Sequence, residues 1–110
     1  MTPNIHIRPI DPSDNTALAK VIRDALTEFG ANKPGTVFFD PTTDALYELF
    51  RAPGAYYFVA ILDNELVGGC GIFPTENLPT GTCELVKLYL KSYTLKFTFF
   101  NSLKKYIALL

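Results

Sequence analysis

The sequence predicts an α+β domain in which helices layer against a mixed, mostly antiparallel sheet, with two helices near the amino terminus and one at the carboxy terminus. Three observations carry this. Residues 11–30 repeat apolar side chains at helical spacing after a helix-start signal. Residues 55–73 read as two strands joined by a tight Asp63-Asn64 turn. "CELVKLYL" (83–90) reads as a further apolar strand after a loop.

In chain order, "IHIRPI" alternates Ile5 and Ile7 against His6 and Arg8, a short strand that Pro9 ends or places at an edge. Asp11 suits the helix cap, Pro12 the first helical position and Asp14 the charged first turn. Leu18, Val21, Ile22, Ala25, Leu26 and Phe29 form the apolar stripe, and Gly30 supplies the stop. A loop, "ANKPGTVFFDP", leads to a second helix over "TTDALYELF", with Thr42 or Thr43 as cap and Pro53-Gly54 as breaker. "AYYFVAIL" and "ELVGGCGIF" form the hairpin, whose second strand carries three glycines in nine residues, a sign of close approach by another backbone or a ligand. "PTENLPTGT" is a loop by composition. In "CELVKLYL", Leu85, Lys87 and Tyr89 face opposite to Val86, Leu88 and Leu90, and the apolar run predicts a central strand. "TLKFTFF" suits one more strand, and "NSLKKYIALL" a final helix capped by Asn101 or Ser102.

A chain of 110 residues with 48% hydrophobic composition suffices for one compact domain. Its formal net charge of −1 gives it no electrostatic reason to bind nucleic acid or an anionic membrane, and no apolar run approaches the ~20 residues a bilayer span needs. The balance is uneven. All eleven acidic residues lie in 1–84, and 85–110 holds five lysines and no acid. Two cysteines make no disulfide framework and the amino terminus lacks the layout of a secretory signal, so a reducing cytoplasm is the expected compartment.

The order of elements, with "IRPIDPSD" opening it, "YFVAILDNELVGGCGIF" as hairpin and "CELVKLYL" as fourth strand, resembles the amino-terminal part of the GCN5-related N-acetyltransferases (GNAT family) over residues 5–90. The resemblance implies a partial GNAT fold and transfer of an acetyl group from acetyl-CoA to the amine of a small molecule or peptide. It assigns cofactor contacts to main-chain groups of Leu88, Tyr89 and Leu90. It makes Glu84 the candidate catalytic residue, a general base taking a proton from the acceptor amine. The plainer reading of Glu84 is a solvated strand-end carboxylate paired with Lys87.

In the family a glycine-containing loop follows, whose amides hold the pyrophosphate at a helix start. That loop falls here within residues 94–100, Thr-Leu-Lys-Phe-Thr-Phe-Phe, and no glycine lies beyond Gly81. Rings at Phe97, Phe99 and Phe100 are expected to occupy the phosphate volume, impairing cofactor binding. Residues 1–90 are thus expected to form the GNAT-like portion and 91–110 a divergent tail of the same domain, arising by truncation or a shifted reading frame. An uncovered fourth strand is expected to drive homodimerisation. The alternative function is a non-catalytic dimerising remnant or interaction module.

Other candidates have plainer readings. Tyr56, Tyr57, Phe58, Phe38 and Phe39 serve core packing in preference to an acceptor pocket. Tyr89 and Tyr93 are candidates to replace the family's missing acid on residue type alone. Cys70 and Cys83 read as buried, unreactive thiols, since the only histidine, His6, lies at the far end of the topology, and no metal site is expected. Lys91, Lys96, Lys104 and Lys105 read as a solvated face before they read as phosphate ligands.

Overall fold

The computed structural model describes residues 4–74, 79, 84–91 and 95–108, without the side chains of Phe97, Ile107 and Ala108. Four strands, β1 (His6–Pro9), β2 (Tyr56–Leu62), β3 (Glu65–Phe73) and β4 (Glu84–Leu90), lie in that order in one sheet, each antiparallel to its neighbour. Helices α1 (Asn15–Glu28) and α2 (Leu46–Leu49) cover one face, and α3 (Lys96–Ala108) the other.

Alternation along the strands, interrupted in β3 by a register shift against β2 at Val67, divides the apolar residues between the faces. Tyr57 and Val59 join Leu18, Ile22, Leu46 and Phe50 beneath α1 and α2. Ile5, Ile7, Phe58, Ala60, Val67 and Cys70 meet Leu95, Phe99 and Leu103 beneath α3. The result is a three-layer arrangement with a core on each side of the sheet.

The helix-start signals act in sequence. The Asp11 carboxylate accepts from the Ser13 amide (3.0 Å) and opens a 3₁₀ turn, Pro12–Asp14, that runs into α1. Asp14, 6% exposed, accepts from both Arg8 guanidinium nitrogens (2.7 and 2.9 Å) and from the Asp11 amide (2.8 Å). This fork ties the end of β1 to the start of α1. Its bond to Arg8 holds the Asp14 carboxyl below the usual carboxylate range. A group whose folded pKa is lowered contributes stability that is present above its unfolded pKa, near 4, and is lost as pH falls through the folded value. Urea midpoints are therefore expected to hold steady from pH 7 to about 5 and to fall below about pH 4. An unchanged midpoint at pH 3 contradicts this role.

Several sequence expectations need correction. The cap of the second helical region is Asp40, whose carboxylate accepts from the Thr42 amide (2.9 Å). Pro12's counterpart, Pro41, starts a 3₁₀ turn to Asp44 that shortens α2 to four residues. Thr43, 1% exposed, instead donates to the Val37 carbonyl (2.7 Å). Phe29, placed on the apolar stripe of α1, is 75% exposed at the helix end. Residues 96–100, read as part of a strand, belong to α3, so Asn101 and Ser102 lie inside a helix and cap nothing. β4, expected to be central, pairs with β3 alone among the described residues.

Candidate functional site

The last residues of β4 open onto a cavity of about 260 Å³. Ala25, Leu26, Glu28 and Phe29 at the end of α1 form one wall, Leu88, Tyr89 and Leu90 another, and Lys96 at the start of α3 a third. Three elements meet there because Gly30, at φ +71°, stops α1 beside the strand and α3 begins six residues beyond the last residue of β4. A second cavity of about 210 Å³ adjoins it, sharing Ala25 and Glu28 and edged by the ion pairs Lys20–Asp24 and Lys91–Glu65.

β4 is not a regular strand. Val86 is opposite Gly71 and Tyr89 opposite Gly69, so Lys87 and Leu88 together face the single residue Cys70. This is a bulge, and Lys87 adopts φ +51°, a left-handed conformation that costs a residue with a Cβ about 1–2 kcal/mol. The extra residue changes the facing predicted from alternation: Val86 and Tyr89 pack on the α1 side, Leu88 and Leu90 on the α3 side. The Tyr57 hydroxyl donates to the Lys87 carbonyl at 2.9 Å. Burial of Tyr57, only 2% exposed, pushes its phenol well above the ordinary tyrosine range, so it remains a donor.

The uncharacterized N-acetyltransferase YjgM of Escherichia coli K12 is 41% identical over 85 residues, covering 76% of this chain and 50% of that protein. The chain belongs to the GNAT family. It spans half the length of this curated N-acetyltransferase relative. A GNAT acetyltransferase from Staphylococcus aureus Mu50 superposes with a TM-score of 0.71 at 17% identity, over 93% of this chain and 62% of that one. The PaiA N-acetyltransferase of Thermoplasma acidophilum, in complex with coenzyme A, superposes at 0.66 and 21% identity, over 96% and 71%. At these identities the two structures show the GNAT fold. No protein-family model matches the chain.

Of the GNAT residues expected at the cofactor, Leu88, Tyr89 and Leu90 all line the larger cavity. Glu84 is exposed at the opposite end of β4, opposite Phe73 and roughly 10–13 Å along the strand from Leu88. Phe99 and Phe100 do not fill the cavity. Phe99 is fully buried in the core beneath α3 and Phe100 packs against that core, because helical rather than strand geometry turns them towards the sheet. Tyr93 and Cys83 lie outside the described residues.

Among the aromatic candidates, Tyr57 and Phe58 are core residues, whereas Tyr56 is exposed and Phe38 and Phe39 pack edge to face in the loop between helices. Burial raises the Cys70 thiol to about 12, which leaves it protonated and unreactive at neutral pH. His6 is exposed on β1. Among the described residues no cluster of side chains can hold a metal ion, and no helix is long and apolar enough to cross a membrane. Lys91 pairs with Glu65, and Lys104 and Lys105 are exposed. Residue type gave no sign of two site features, the bulge at Lys87 and the contribution of α1. The glycines of β3 were the only hint of the bulge's partner.

Proposed function

We propose that this GNAT chain carries an acetyl-CoA site of the N-acetyltransferase kind along the end of β4, with an amine as the acceptor. The observation that carries this is the convergence of Leu88, Tyr89, Leu90 and Lys96 on one cavity. Acetyl-CoA supplies an activated thioester when bound. The apolar side chains of Leu26, Phe29, Leu88 and Leu90 suit the thioester arm. The amides at the start of α3, beside Lys96, favour an anion. A cavity of about 260 Å³ lies below the ~300–1,000 Å³ of typical ligand pockets, so it suits the arm of the cofactor and not the whole of it.

Cofactor binding is weak in this reading, because residues 94–100 supply no glycine to bring amides close to a pyrophosphate. Calorimetric titration with acetyl-CoA is expected to give saturable binding with a Kd of about 0.1–1 mM. Absence of binding at millimolar concentration contradicts the proposal.

Glu84 is the general base in this reading. It lies on the strand that lines the cavity, across the bulge from Leu88, and takes the proton of the attacking amine through a chain of waters. Glu84→Gln is expected to lower the acetylation rate of a primary-amine acceptor about 100-fold while leaving the Kd for acetyl-CoA unchanged. An unaltered rate contradicts the assignment.

A second reading, a self-associating non-catalytic module, is favoured by one observation: among the described residues β4 pairs on one side alone, and its Leu85 is 50% exposed. Light scattering across a dilution series distinguishes a dimer from a monomer.

A further inference from the structure

The Lys87 carbonyl and the Tyr57 hydroxyl belong to strands that are not neighbours. β3 lies between β2 and β4, yet the hydroxyl reaches the carbonyl at 2.9 Å. The sequence "GGCG" makes the passage possible. A Cβ on Gly69 would stand 2.4 Å from Tyr57 Cε1, and one on Gly71 would stand 3.0 Å from Tyr57 Cδ2 and 2.5 Å from Phe50 Cε1. The Tyr57 ring therefore lies flat across the bare backbone of β3, steadied by an edge-to-face contact with Phe50 at 5.0 Å between centroids. Beyond it stands the one residue of β4 in a left-handed conformation.

Resting on the acetyl-CoA site proposed above, we infer that Tyr57 is a positioning residue for that site: by holding the Lys87 carbonyl it fixes the bulge that turns Leu88, Tyr89 and Leu90 towards the cavity. Without the bulge, simple alternation would return Tyr89 to the side opposite Val86 and exchange the faces of Leu88 and Leu90. The left-handed conformation of Lys87 is costly for a residue that carries a Cβ. The buried hydroxyl compensates it from two strands away. Cys70, opposite the bulge, brings a thiol only 3.9 Å from the Val86 carbonyl, too weak a donor to replace it.

Tyr57→Phe keeps the ring and removes only the donor. Amide hydrogen exchange at residues 88–90 is expected to quicken about fivefold, as loss of one hydrogen bond implies, with amides of β1 and β2 unchanged. Lys87→Gly removes the conformational cost that the hydroxyl offsets, so in that background Tyr57→Phe is expected to change exchange less than twofold. Equal effects in both backgrounds, or no effect in either, overturn the inference. Titration with acetyl-CoA separates this from the functional reading. If the unaltered chain binds, Tyr57→Phe is expected to raise the Kd about fivefold, and an unchanged Kd overturns the link between bulge and site. If the unaltered chain does not bind, the acetyl-CoA site and the positioning of a cofactor by Tyr57 fall together, and the exchange experiment still decides whether Tyr57 holds the bulge.

Discussion

Phe99→Ala is expected to destabilise the protein by about 4 kcal/mol, within the 3–5 kcal/mol typical of Phe→Ala in a core. The ring is fully buried, in edge-to-face contact with Phe100 at 6.0 Å and surrounded by Ile5, Ile7, Phe58 and Leu103. Its removal leaves a cavity beneath α3 that the sheet cannot collapse to fill, because Ala60 is anchored by pairing with Ile7 on one side and Gly68 on the other. A domain of this size has about 5–15 kcal/mol in total, so the variant should retain only a fraction of its stability. Denaturant unfolding followed by far-UV circular dichroism measures the loss. A change below about 1 kcal/mol would mean that α3 does not form part of the core.

Gly68→Ala should cost about 3 kcal/mol for a different reason. A Cβ there would lie 2.2 Å from the Tyr89 carbonyl oxygen, 2.7 Å from Leu90 Cδ2 and 2.9 Å from Leu90 Cα. Two of those atoms are backbone of the paired strand, so no rotamer change relieves the clash, and β4 must move away from β3. Overpacking of this kind costs typically 1–3 kcal/mol and occasionally more. Since the displaced residues are also the cavity wall, the same substitution is expected to abolish measurable acetyl-CoA binding. A variant with unaltered denaturant midpoint and unaltered binding would show that the β3–β4 pairing is looser than described.

Where local chemistry and tertiary packing agree, the sequence is a sufficient guide. Asp11, Pro12 and Gly30 bound the first helical region as capping chemistry requires, and Asp63 and Asn64 take φ of +50° and +64° in the hairpin turn. The carboxy-terminal segment shows the opposite case. Phe97, Thr98, Phe99 and Phe100 favour a strand by propensity, but Leu95, Phe99, Leu103 and Tyr106 recur at four, four and three residues and bury one helical stripe. Packing overrides propensity there, and the period was the stronger signal.

At the site, Leu88, Tyr89 and Leu90 line one cavity, but their facing departs from simple alternation. A lysine gives no warning of a left-handed conformation, and a bulge shifts every later side chain by one place. The glycines of β3 did announce close approach. What approaches is the carbonyl of β4 at Gly68 and the rings of Tyr57 and Phe50 at Gly69 and Gly71. The rings of Phe99 and Phe100, expected to block phosphate, turn inward instead, so the weak binding proposed above rests on the lack of glycine and not on these two rings.

The central claim, that the end of β4 and the start of α3 form the acetyl-CoA site, is tested most directly by recording backbone amide spectra of the isotopically labelled chain during titration with acetyl-CoA. The account predicts saturable shifts concentrated at Leu88, Tyr89, Leu90 and Lys96, with Leu26 and Phe29 following and His6 unmoved. Shifts confined to other residues, or none at millimolar cofactor, contradict it.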